Sequence, residues 1–120
     1  MEQLLKLLNT IPEYKVAIDS LAKGESVAIT GIGQINRSHL IAGLRRDMDR
    51  PIVIIVQDDM AAKRLQEELK GFLGDTAPIL PSRELTLYDS AVVSRAWEQK
   101  RLRQLFDLRR GATNLQLTKL

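Results

Sequence analysis

The stretch Gly31-Ile32-Gly33-Gln34-Ile35-Asn36-Arg37-Ser38 gathers the residue types that could hold an anion. A phosphate-binding loop wraps backbone N–H groups around its ligand, and its pattern is glycine, four residues, then Gly-Lys-Ser/Thr. Here Gly31 is followed by four residues and then by Asn36-Arg37-Ser38. Asn36 stands where the second glycine should be, and its side chain crowds the place of the wrapped phosphate. Arg37 stands for the lysine. It keeps the charge but not the slim ammonium that reaches between phosphates. Two readings follow. Gly31, Gly33, Asn36, Arg37 and Ser38 form a weak anion site, helped by the free N–H groups of the helix that follows. Or the segment is only a tight strand-to-helix turn. Failure at two defining positions favours the turn, so no catalytic residue, cofactor or metal is expected.

The other chemically active residues have plain readings beside functional ones. His39 has no Asp, Cys or second His near it in sequence and reads as a surface or partly packed histidine. Asp58-Asp59 follows an apolar run and could mimic a metal-binding acidic pair. Helix capping explains it more simply. Ala91 to Arg110 carries Arg95, Lys100, Arg101, Arg103, Arg109 and Arg110 against Glu98 and Asp107. That helix could touch phosphate, as in a plain DNA-binding module, or meet an acidic partner. Its plain reading is a solvated face, with Trp97, Leu102, Leu105 and Phe106 turned to the core. Ser82-Arg83-Glu84 sits between Pro81 and the apolar Leu85 and Leu87, as a functional loop, a docking loop or a plain connection would.

Elements must position these residues. Met1 to Leu8 has helical spacing in Leu4, Leu5, Leu7 and Leu8. Pro12 suits the first turn of a second helix that runs to about Lys23 and ends at Gly24. Val27 to Thr30 reads as a short buried strand, and Ser38 to Met48 as the helix after the glycine loop. Ile52 to Val56 is a continuous β-branched run, as expected of a parallel strand buried on both faces. A helix follows to about Leu73, with Met60, Ala61, Leu65, Leu69 and Phe72 apolar and Gly74 at its end. Ala77 to Leu80 is a candidate third strand, confined by Pro78 to an edge or a strand start. Asn114 to Thr118 is a candidate last strand. The order of elements predicts an α/β domain with a small parallel sheet.

Composition narrows the classes. The chain has 120 residues, enough for one domain with one core. It has no cysteine and a single histidine, which excludes a disulfide framework and thiolate or histidine-rich zinc sites. No apolar run approaches the roughly 20 residues of a membrane helix, and the start lacks a signal-peptide pattern, so a cytoplasmic protein with no membrane partner is expected. The net charge of +3 permits nucleic-acid contact without demanding it. Tyr14, Phe72, Tyr88, Trp97 and Phe106 are too few and too scattered for a base-stacking surface.

Taken together, these stretches resemble a known family. Gly24 to Gly31, Arg50 to Val56 and Ala61-Ala62-Lys63-Arg64-Leu65 resemble the opening strands, glycine turn and helix of the N-terminal UvrB-like domain of bacterial transcription-repair coupling factors (Mfd). Leu80-Pro81-Ser82-Arg83-Glu84-Leu85, Tyr88-Asp89, Ser94-Arg95 and Glu98-Gln99-Lys100-Arg101-Leu102 continue it. The resemblance spans roughly Pro12 to Thr118, and the order of the stretches carries it. It implies a three-layer P-loop-type α/β fold with a degenerate P-loop at Asn36-Arg37, in a single domain over residues 1–120. It implies a non-catalytic module within an ATP-dependent DNA translocase of the helicase family. Its implied partners are the remaining domains of the same protein, UvrA through the full UvrB-like module, and RNA polymerase and DNA through the parent protein. The resemblance carries no UvrA-contacting residue onto this chain. The alternative is a nucleotide-binding P-loop domain of a UvrB-like helicase. The stop soon after Asn114–Thr118 is what an N-terminal piece of a longer protein would show. That end strand, with Leu115, Leu117 and Leu120, is then expected at an open edge.

Overall fold

The computed structural model describes residues 2–80, 95–110 and 115–119, with the side chains of Trp97 and Lys119 outside that set. The loop from Pro81 to Asp89, with Ser82-Arg83-Glu84, and the first residues of the expected Ala91–Arg110 helix lie outside the described residues. The elements run α1 (Glu2–Lys6), a 3-10 turn (Leu7–Thr10), α2 (Pro12–Ala22), α3 (Gln34–Asp47), β1 (Ile52–Val56), α4 (Asp59–Leu73), β2 (Ile79–Leu80), α5 (Arg95–Arg109) and β3 (Leu115–Lys119). They fall into two compact units. One comprises residues 1–50 and 67–76, the other 51–66 and 77–120.

The first unit is helical. Pro12 opens α2, where a missing N–H costs nothing. Lys23 and Gly24 close it, and Gly24 has φ +80, a conformation that glycine adopts without a Cβ penalty. Leu5, Leu8, Tyr14, Ala17 and Ala42 are buried here, whereas Leu4, Leu7 and Val16 are exposed. Gly43 allows α3 to approach its neighbours. A Cβ there would lie 3.0 Å from the Tyr14 hydroxyl and would collide with Leu8.

The second unit holds a three-stranded, all-parallel sheet in the order β1-β3-β2. This is the small parallel sheet of an α/β protein. Ile52 pairs with Leu115 and Val56 with Lys119, while Ile79 pairs with Leu117. Pro78 precedes β2, and β2 is an edge strand, as the missing proline N–H requires. The last strand takes the opposite place from the one expected. β3 is the central strand, paired on both sides, and Leu115 and Leu117 are 5% and 0% exposed. Leu120 lies outside the described residues.

Three further expectations are corrected. Val27–Thr30 is not a strand, because among the described residues no neighbour offers it a ladder. β1 is not buried on both faces. As an edge strand it alternates, with Val53 50% and Ile55 62% exposed. In α5 the residues expected to face the core, Leu102, Leu105 and Phe106, are all exposed, while Leu108 is half-buried. Gln104 instead points inward, its Oε1 lying 3.4 Å from Nε2 of Gln116 on β3.

Candidate functional site

The candidate anion site lies entirely in the first unit. Gly31 has φ +77, which turns the irregular segment 25–30 into α3 at no steric cost. The helix then begins at Gln34, four residues earlier than expected, with Gly33 in extended conformation as its cap. Arg37 N–H already bonds the Gly33 carbonyl at 3.2 Å. Asn36, Arg37 and Ser38 are therefore helical residues, and the loop before them shrinks to Gly31-Ile32-Gly33.

The side chains diverge as well. Asn36 and Arg37 are exposed, whereas Ser38 is 1% exposed. The Ser38 hydroxyl donates to the Glu68 carboxylate on α4. That places a negative group at the one hydroxyl that a nucleotide site would direct to magnesium or phosphate. The structure thus brings Gly31 and Gly33 to the helix start and keeps Asn36 and Arg37 on its surface. It sends Ser38 elsewhere.

A cavity of about 980 Å³ opens beside this loop. Its walls include Leu7, Ile11, Val16, Ile29, Asn36 and His39, and Glu13 is the only Asp, Glu, Lys or Arg among its lining residues. No Lys or Arg is among its lining residues to meet the charge of a triphosphate. His39 is fixed by packing. Its Nε2 lies 2.6 Å from the Leu4 carbonyl, and its ring stacks on Phe72 at 5.3 Å.

Two groupings escape the sequence. Glu68 is 30 positions from Ser38 and no motif links them. The second grouping joins α2 to the end of α3. The buried Tyr14 hydroxyl donates to Asp47 Oδ2 at 2.7 Å, and Arg46 grips both oxygens of the same carboxylate at 2.7 and 2.9 Å. The Arg46 bonds hold the Asp47 carboxyl below its ordinary range, while burial, reinforced by Asp47, raises the Tyr14 phenol above its own. A phenol kept neutral and a carboxylate kept charged make a clasp between helices. Arg46 and Asp47 adjoin in sequence, but Tyr14 lies 33 positions from Asp47 and no motif links them.

In the second unit, Asp58 Oδ1 accepts from the Ala61 N–H at 2.7 Å, and the Asp58 carbonyl accepts from Ala62 at 3.1 Å. This is the helix cap expected of the acidic pair. Among the described residues no group of three or more His, Cys, Asp or Glu could hold a metal ion. Among them, too, no helix is long and apolar enough to cross a membrane.

The chain matches no protein-family model. No solved structure matches it either. It is 32% identical over 105 residues to the transcription-repair-coupling factor of Myxococcus xanthus, a match covering 82% of this chain and 9% of that protein. This chain is related to transcription-repair coupling factors. It spans under a tenth of the length of the curated relative it matches.

Proposed function

We propose that this chain is a non-catalytic module of a transcription-repair coupling factor. In this reading it forms part of a UvrB-like region that helps recruit UvrA to stalled RNA polymerase for nucleotide excision repair. The observation that carries the reading is the similarity to the Myxococcus xanthus protein across most of the chain. The turn at Gly31–Ser38 is then a degenerate P-loop, and residues 1–120 serve as one UvrB-like domain. The translocase motor, RNA polymerase and DNA contacts belong to the parent protein, whose other domains are this chain's nearest partners.

The absence of catalysis in this reading is supported by the site chemistry. Ser38 is engaged by Glu68, and no Lys or Arg is among the lining residues of the adjoining cavity. Titration calorimetry of the chain with Mg-ATP should give no saturable heat. A tight isotherm would transfer the assignment to a nucleotide-binding domain. Recruitment is tested in the parent protein. Deleting residues 1–120 should reduce UvrA retention on a stalled elongation complex, and unchanged retention would refute that role.

A further inference from the structure

We propose that the outward face of α5 docks an acidic amphipathic helix of a partner protein. Arg95, Leu102, Phe106 and Arg109 recur at helical spacing and share one face. Leu102 is 65% and Phe106 58% exposed, and both arginines are exposed. Leu105 borders the stripe on one side at 40% exposure, and Arg103 and Arg110 border it on the other. Asp107 already holds two of these cations, at 3.5 Å from Arg103 and 3.6 Å from Arg110. The face is therefore an apolar centre set among cations, with Glu98 as its only acidic residue besides that shared carboxylate.

Charge complementarity selects the occupant. A helix with leucine-type anchors at i, i+3, i+4 and i+7 and carboxylates flanking them would bury Leu102 and Phe106 while pairing the arginines. Duplex DNA fits less well. Its phosphates would satisfy the arginines but leave three large apolar side chains with nothing to bury against. The Phe106 ring is also occupied on one side by the Arg110 guanidinium, 5.4 Å from its centroid, which blocks base stacking there. An anionic membrane fits less well again. Sinking Leu102 and Phe106 into lipid would drag Arg95 and Arg109 down with them, because the arginines lie on the stripe itself.

The test uses the 120-residue chain and a fluorescein-labelled synthetic helix with leucine at i, i+3, i+4 and i+7 and glutamate at the remaining positions. Anisotropy at physiological salt should show saturable binding, weakened by about tenfold or more in the double variant Leu102→Ala, Phe106→Ala. Arg109→Glu should weaken it too. A peptide with lysine in place of every glutamate should not bind. The proposal falls if the acidic peptide fails to bind, if the lysine peptide binds equally, or if the alanine variant binds as well as the parent. It also falls if the chain prefers duplex DNA or phosphatidylserine vesicles to the acidic peptide.

Discussion

α4 and α5 are both 15-residue helices with regularly spaced apolar residues, yet they use those residues in opposite ways. In α4, Ala62 and Leu69 are fully buried and Leu65 and Phe72 half-buried, with Lys63, Arg64 and Lys70 exposed. In α5, Leu102 and Phe106 are exposed, and the inner side carries the half-buried Gln104 and Leu108. The difference teaches that apolar periodicity marks a face to be covered without saying what covers it. In α4 the cover comes from within the chain. In α5 the inner side meets Gln116, a 2% exposed residue whose amide N–H groups point at the Pro78 carbonyl at 2.9 Å and the Leu117 carbonyl at 3.1 Å. α5 reaches this amide through Gln104 at 3.4 Å, and its exposed apolar stripe lies on the other side of the helix.

The largest effect that would sharpen the contrast is on α4. Leu69→Ala removes a fully buried side chain and leaves a cavity. It should cost about 2–5 kcal/mol, read as a lower urea midpoint. A loss near zero would mean that α4 is not packed as described.

The fold was legible where local chemistry decides it. Pro12 and Gly24 bound α2, Asp58 caps α4, and Pro78 forces β2 to an edge, all from residues within a turn of the feature they control. It was illegible where pairing decides it. Val27–Thr30 has a strand's residues but no ladder neighbour. Asn114–Thr118 reads as an end strand, and the strand found there, Leu115–Lys119, is the central one, because sheet order depends on contacts across more than 60 positions of sequence. The candidate site shows the same split. The two missing motif residues at Asn36 and Arg37 were plain in the sequence. The engagement of Ser38 by Glu68 was not, since it joins two helices with no shared motif.

The smallest expected effect is on the other helix, and it is the one that can break the comparison. The double variant Leu102→Ala, Phe106→Ala removes far more apolar atoms than Leu69→Ala does. If area removed from water sets the cost, the double variant should still cost less, because most of its surface is already solvated. Alanine also keeps the helix, being the best helix former. The loss that remains is the contact between Phe106 and Arg110 and the covered part of each side chain, about 1 kcal/mol or less in total. Urea unfolding of the double variant beside Leu69→Ala measures the two helices on one scale. A cost for the double variant equal to that of Leu69→Ala would show that the α5 stripe is covered in solution by the chain itself. The contrast between the helices would then collapse, and with it the open face that a partner helix needs. A small cost, together with lost peptide binding, would assign those side chains to recognition and leave the stability of the fold to α4 and the sheet.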